Sequence, residues 1–366
     1  MKVINGTNVL PSGEFNVNNT NRYISMDEFT KTYAHFAVEA DDIVVVSSGS
    51  IGKVSRVRQE QLPLMMNTSV IRFHAHDPQI LDDDFLFAFL RSPLFQAQVH
   101  SFAIGAAQLN FGPRHIKQMQ IPLPSMAVQR KIASVLSAYD NRIENNTRRI
   151  SLLEEMAKRI YCEWFVEFRY PGRDYASISD SDLDAIPPGW EWRELHDVVE
   201  LAYGKALKAD DRRPGLVPVF GSGGVVGLHD TALVDGPGIV VGRKGTVGAV
   251  HWSDTRFFPI DTTYFVRTKL PLTYVYFALQ NLDFLDSHAA VPGLSRAQAY
   301  GLPFMVPDGH TLATFDDYMK PMFTLNQRLR EASEALAKAR DLLLPRLISG
   351  EIDAEDLDIE IAEFAA

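Results

Sequence analysis

Ile239-Val240-Val241-Gly242-Arg243-Lys244-Gly245-Thr246-Val247-Gly248 is a short apolar strand running into a glycine turn, and the chain carries it twice. The earlier copy reads Ile43-Val44-Val45-Val46, then Gly49-Ser50-Ile51-Gly52. A hydroxyl cluster follows each, Asn67-Thr68-Ser69 and Asp261-Thr262-Thr263. A mostly helical stretch and a proline exit come next, Ile121-Pro122-Leu123-Pro124 and Met305-Val306-Pro307. The offset is 245 − 49 = 196 at the glycines and 307 − 124 = 183 at the exit prolines. So slow a drift describes one unit, duplicated and trimmed in its loops. The period is far too long for a solenoid. Two similar halves suit a ligand that itself has two halves.

Outward from each copy lies a long amphipathic stretch. From Ser125 to about Trp164 there is no Pro or Gly, and Val128, Ile132, Val135, Tyr139, Ile143, Asn146, Ile150, Leu153, Ala157, Ile160 and Trp164 recur in threes and fours. That is a coiled-coil seam. Forty helical residues reach about 60 Å, more than one small domain spans. A second seam runs Leu312, Phe315, Met319, Met322, Leu325, Leu329, Ala332, Leu336, Ala339, Leu343. Pro321 should kink this helix or delay its start, and Pro345 and Gly350 should end it. Two such helices are expected to pack antiparallel and hold the globular parts apart. Asp82 to Gln98 also reads as helix, from Phe85, Leu86, Phe89 and Leu90.

A turn-rich linker separates the halves, from Tyr170-Pro171-Gly172 through a Ser/Asp-rich stretch to Pro187-Pro188-Gly189. The divisions are then 1–124, 125–170 (first long helix), 171–307 (linker and second globular part), 308–350 (second long helix) and 351–366, an acidic tail.

With 366 residues and 46% hydrophobic content, the chain can bury two cores. No apolar run approaches the roughly 20 residues that span a bilayer, and the start shows no signal-peptide pattern. The expectation is a cytoplasmic protein, with its single cysteine, Cys162, in a core or interface. The net charge of −10 argues against nucleic acid when taken alone. However, Glu351, Asp353, Glu355, Asp356, Asp358, Glu360 and Glu363 lie in the tail with no Lys or Arg. Basic residues gather elsewhere, at Lys53, Arg56 and Arg58, at Arg212 and Arg213, and at Arg243 and Lys244.

Catalytic motifs are missing. Gly49-Ser50-Ile51-Gly52-Lys53-Val54 lacks the spacing and the Ser/Thr of a P-loop, and Gly221-Ser222-Gly223-Gly224-Val225-Val226 has Val226 where a dinucleotide fingerprint needs glycine. There is no HExxH, CxxC or Gly-x-Ser-x-Gly, and no Asn/Asp-Pro-Pro-Tyr motif of an amino-methyltransferase. No acid, base or nucleophile constellation assembles.

Gly49-Ser50-Ile51-Gly52, Gln129-Arg130-Lys131-Ile132, Phe258-Pro259-Ile260-Asp261-Thr262-Thr263-Tyr264, Pro188-Gly189-Trp190 and Leu344-Pro345-Arg346-Leu347 carry a resemblance. In their order and duplication the chain resembles the DNA specificity subunit of type I restriction–modification systems, over nearly all of its length except the acidic tail. The implied fold is α+β, with two similar globular α/β target-recognition domains separated by two long antiparallel coiled-coil helices. The implied role is a non-catalytic reader of double-stranded DNA. Each domain would take half of a bipartite asymmetric target. The helices would set the half-site gap and bind two methyltransferase (modification) subunits, and restriction (motor/endonuclease) subunits would join through the complex. No cofactor, metal or catalytic residue is expected on this chain, since S-adenosylmethionine would be bound by the methyltransferase partner. The first domain reads as N-terminally short, because Asn5-Gly6-Thr7-Asn8-Val9 looks like the middle of such a domain.

Base reading favours Arg on guanine and Asn or Gln on adenine, at about 1–3 kcal/mol for each good pair. The DNA-binding candidates are Lys53, Arg56, Arg58, Arg72 and Arg114 in the first domain. In the second they are Lys205, Lys208, Arg212, Arg213, Ser222, Arg243 and Lys244. Ile132, Ile150, Leu153, Leu329 and Leu336 are expected in the helix–helix core, and Trp164, Phe165 and Phe168 are expected to face outward and hold a partner. The competing expectation is a coiled-coil structural adaptor with two globular protein-binding modules.

Overall fold

The computed structural model describes residues 1–357 apart from 11–12, 14, 20–21, 103–109, 173–185, 285–292 and 356. Most of the Ser/Asp-rich linker and the tail acids Asp356, Asp358, Glu360 and Glu363 therefore lie outside the described residues. The chain forms two compact units, one of residues 1–145 with 332–366 and one of residues 146–331.

The repeated strand sits at the centre of each unit. In unit 1, β1 (Lys2–Ile4), β2 (Ala37–Val38), β3 (Ile43–Val46), β4 (Val54–Arg56), β5 (Leu64–Met66) and β6 (Val70–Phe73) make two sheets, ordered β4-β3-β6 and β1-β5-β2. Ile43 and Val45 point into a core with Phe85, Phe89, Phe95 and Phe111. Val44 and Val46 point the other way, into a core with Ile4, Val9 and Leu64. Side chains alternate faces along a strand. A strand covered on both faces is therefore apolar without a break, which is why Ile43 to Val46 shows no polar alternation.

Unit 2 repeats the frame. It holds β7 (Glu191–Glu194), β8 (Val199–Tyr203), β9 (Val217–Gly221), β10 (Gly224–His229), β11 (Gly238–Gly242), β12 (Val250–Ser253), β13 (Phe258–Pro259), β14 (Thr263–Thr268) and β15 (Pro303–Val306). The sheets are ordered β12-β11-β14-β8, β10-β9-β13 and β15-β7. β11 is covered on both faces as β3 is, with Ile239 and Val241 in one core and Val240 with Phe220, Phe257 and Phe265 in another. β4-β3-β6 matches β12-β11-β14, all antiparallel. The parallel pair β1–β5 matches β9–β13. Asn5-Gly6 thus follows a strand whose counterpart lies in the middle of unit 2. Among the described residues, unit 1 has no counterpart of β7, β8 or β15.

The glycine turns superimpose bond for bond. Gly52 N donates to Val46 O at 2.8 Å, and Gly248 N to Gly242 O at 2.9 Å. Gly49, Gly52, Gly245 and Gly248 all have φ between +76° and +83°, a region that suits glycine because it lacks Cβ.

The first long helix is continuous over Met126–Phe165 and the second over Gly309–Ile348. Each has one half in each unit. In unit 1, Ile132 and Leu136 share a core with Leu344 and Leu347. In unit 2, Ala157, Tyr161, Trp164 and Phe165 share one with Leu312, Phe315 and Met319. Trp164 lies over Phe315 while Glu154 pairs with Arg330, so the half-helices of unit 2 run antiparallel. Of the expected core positions, Ile132 and Leu329 are buried, and Ile150, Leu153 and Leu336 are half-buried.

Three expectations are corrected. Pro321 does not delay the start of the second helix, which begins at Gly309. Pro321 is exposed, as is Asp317, so the carbonyl that lacks its usual donor is open to water. Pro345 lies within the last turn and Gly350, at φ +76°, follows the end. The helix expected over Asp82–Gln98 is two helices, Asp83–Arg91 and Pro93–Phe102, because proline disfavours helical backbone at the preceding Ser92. Residues 351–355 contact the rest of unit 1. Ala354 is buried, and the Lys131 ammonium donates to Glu355 O at 2.9 Å.

Candidate nucleic-acid interface

The loop after β11 is built by backbone bonds before any side chain matters. Arg243 N and Lys244 N both donate to Thr262 O, at 2.9 and 3.1 Å, and Arg243 O accepts from Leu294 N at 2.8 Å. This fixes the base of the Arg243 side chain. Its guanidinium donates to Asp261 O at 3.0 Å and lies 5.1 Å from the centroid of the Tyr203 ring. Tyr203 ends β8, in register with Tyr264, with their rings 5.1 Å apart. The Arg296 guanidinium, at the start of the helix Arg296–Tyr300, lies 4.8 Å from the same Tyr203 ring. Burial raises the Tyr264 phenol above its ordinary range and Tyr203 adds to this, with Arg243 opposing. The Tyr264 hydroxyl donates to Leu294 O at 3.0 Å.

Other basic candidates divide by what holds them. Lys205, Lys208, Lys244 and Arg114 are exposed, Lys53 is half-buried, and none of the five makes an ion pair among the described residues. Arg56 is bound to Asp84 and lies 4.7 Å over the Phe87 ring. Arg58 pairs with Glu144 at 2.5 Å, and Arg72 with Asp42 at 3.3 Å. Arg213 grips Asp230 through two bonds of 2.6 and 3.0 Å. The Asp230 carboxyl is lowered to about 2 by Arg213 and Thr231. Arg212 donates to Val226 O at 2.7 Å, bracing β10. Each of these five cations is held by a partner within its own unit.

Ser222, also a DNA-binding candidate, differs from the exposed lysines. It is buried, and its hydroxyl donates to Thr262 O at 2.6 Å. Trp164 and Phe165, expected to face outward, are 7% and 5% exposed, and Phe168 packs on Trp190 at 5.7 Å. Trp164 and Phe165 close the core of unit 2, and Phe168 is half-buried against it. Tyr203 and Arg296 were not among the expected residues. The only sequence signal is Tyr203-Gly204-Lys205, an aromatic residue at a strand end beside a cation.

Unit 1 uses the same backbone with different side chains. Phe111 N donates to Ser47 O at 3.0 Å, as Leu294 N does to Arg243 O. Ser48 bridges to Asn110 as Lys244 does to Gly293. Ser47-Ser48 therefore stands where unit 2 has Arg243-Lys244.

Among the described residues no cluster of His, Cys, Asp or Glu could hold a metal ion, and no helix is long and apolar enough to cross a membrane.

The chain is 23% identical over 349 residues to the type I restriction enzyme MjaIX specificity subunit of Methanocaldococcus jannaschii, covering 86% of this chain and 78% of that one. It is 26% identical over 183 residues to the MjaVIII specificity subunit of the same organism, covering 50% and 37%. The crystal structure of the type I restriction–modification system S subunit from M. genitalium has a similar fold, with a TM-score of 0.55 at 22% identity, covering 86% of this chain and 84% of that one. The model of the type I restriction modification DNA specificity domain matches residues 2–155 and 187–307, one stretch for each copy of the strand and glycine turn. On that twofold match over most of its length, the chain belongs to the type I restriction modification DNA specificity family.

Proposed function

We propose that this chain is the DNA-reading subunit of a type I restriction–modification complex, each unit recognising one half of a split, asymmetric target. The observation that carries the reading is the twofold match to a DNA specificity domain, falling on two copies of one strand and glycine-turn frame. Like frames with unlike loops, such as Ser47-Ser48 against Arg243-Lys244, support recognition of two different half-sites. The paired long helices set the gap between half-sites, in the manner of a coiled-coil spacer, and hold two methyltransferase subunits. Restriction subunits join through that complex. Methyl transfer and S-adenosylmethionine belong to the methyltransferase partner, and this chain supplies position. Phosphate contacts fix register and base-edge contacts specify sequence, so both kinds are needed on each unit.

The test is genome-wide mapping of adenine methylation with this chain and a cognate methyltransferase subunit co-expressed. It is repeated with residues 171–307 replaced by another recognition domain. The expected result is a split motif in which one half changes and the other stays. Methylation that is the same with and without this chain would overturn the proposal and favour the adaptor reading.

A further inference from the structure

Arg243 and Arg296 place two guanidinium groups over one tyrosine ring, at 5.1 and 4.8 Å from its centroid. Their charges are therefore within about 10 Å of each other. Among the described residues neither meets a carboxylate. Arg243 bonds to the Asp261 carbonyl, and Arg296 lies on the rings of Tyr203 and Tyr300. Three other arginines of the same unit are neutralised, Arg213 by Asp230, Arg267 by Glu200 and Arg330 by Asp254. Tyr203 itself is 48% exposed. A chain of net charge −10 thus keeps two cations with no carboxylate partner among the described residues, Arg296 exposed and Arg243 half-buried, with exposed Lys244 next in sequence to Arg243.

Stacking on an aromatic face holds a guanidinium plane while leaving its N–H edge free, the geometry that grips phosphate with two parallel bonds. A base edge is neutral and relieves no repulsion between two cations, whereas a phosphate relieves it. We infer that Tyr203, Arg243 and Arg296 form a clamp for a backbone phosphate of duplex DNA, an inference that rests on the proposed DNA-reading role. The clamp belongs to unit 2, because Ser47 occupies the place of Arg243 in unit 1.

The experiment uses the full chain assembled with its methyltransferase partner. Affinity is measured for a duplex bearing the mapped motif and for an unrelated duplex, from 50 to 200 mM KCl. The double variant Arg243→Ala with Arg296→Ala is expected to weaken both duplexes alike, by roughly tenfold, and to flatten the slope of log affinity against log salt by about 1–2. The methylated motif stays unchanged. Arg296→Ala alone, at an exposed side chain with no hydrogen bond among the described residues, gives part of the effect. Arg243→Lys with Arg296→Lys keeps the salt slope. A changed motif with the salt slope intact makes these base-reading residues and overturns the clamp, leaving the DNA-reading role standing. Unaltered affinity and slope also overturn it. A wild-type complex that binds neither duplex removes the DNA-reading role and the clamp together.

Discussion

Trp190 Nε1 donates to Asp308 Oδ2 at 2.9 Å, joining the residue before β7 to the residue before the second long helix. Asp308 also accepts from the backbone N–H groups of His310 and Thr311, at 2.9 and 3.0 Å, and so caps that helix. Burial alone would raise its carboxyl, but bonds from Thr311, Trp190 and His310 outweigh that and hold it below the ordinary value. Asp308→Ala removes the cap and orphans the Trp190 indole, at a cost of about 1–2 kcal/mol. A group with a depressed folded pKa stabilises above its unfolded pKa and loses the contribution as pH falls through the folded one. The difference in urea midpoint between wild type and Asp308→Ala should be full at pH 7 and shrink below about pH 4. A difference that persists unchanged at pH 2.5 would contradict this assignment.

The first glycine of each turn allows the same substitution in both units. Gly49 and Gly245 have φ of +81° and +83°, and a Cβ added to either meets nothing within 4 Å. Any cost is then backbone strain alone. Gly49→Ala and Gly245→Ala should each destabilise by about 1 kcal/mol, and Gly245→Asn by less, since Asn tolerates left-handed backbone. Thermal unfolding of the three variants checks this, and a neutral Gly245→Ala would show that the loop relaxes out of the left-handed region.

What the sequence made legible was whatever depends on near neighbours. Ile43 to Val46 and Ile239 to Val241 read as buried strands because full burial leaves no polar alternation. Both long helices read from their seams. What escaped depends on distant partners. Trp164 and Phe165 look like spare aromatics until Phe315 and Trp190, remote in sequence, cover them. Arg58 looks free until Glu144 arrives from the first long helix. Tyr203, Arg243 and Arg296 lie on three separate segments and carry no shared pattern. Pro321 marks the limit of a local rule, since an exposed helix face tolerates a missing donor that a buried one would not.

Asp140 in unit 1 holds Arg91 and Arg340, both at 2.5 Å, tying the two long helices to the helix Asp83–Arg91. Both arginines are mostly buried, with side chains 17% and 13% exposed. Removing the carboxylate leaves Arg91 without its acidic partner and Arg340 with Asp341 alone. Asp140→Ala should cost about 2–4 kcal/mol, whereas Arg340→Ala, which leaves the Asp140–Arg91 pair, should cost less. Urea denaturation of both variants decides it, and equal losses would mean that packing rather than charge carries the site.

Trp164 tests the corrected reading of the helix end. Its ring lies 5.6 Å from both Phe315 and Tyr318. Trp164→Ala should therefore empty part of the unit 2 core at about 3–5 kcal/mol. The folded fraction of the variant should still co-purify with a methyltransferase subunit. Full stability combined with lost co-purification would restore the outward-facing role.

Arg213 and Asp230 form a pair whose effect is read by titration. Their side chains are exposed, but two bonds from Arg213 and one from Thr231 lower the Asp230 carboxyl to about 2. The carboxylate is favoured in the folded state, so its stabilising contribution is complete above about pH 4 and disappears as pH falls through 2. Carbon-detected NMR titration of Asp230 should show a midpoint near 2 in the wild type, moving up toward 3.8 in Arg213→Ala. The same variant should leave the salt dependence of DNA binding almost unchanged, because the charge it removes is already neutralised within unit 2. Arg243→Ala in parallel should flatten that dependence. If Arg213→Ala flattens it as much as Arg243→Ala does, the pairing with Asp230 opens on DNA, and the separation between cations that brace the fold and cations left free does not hold at this position.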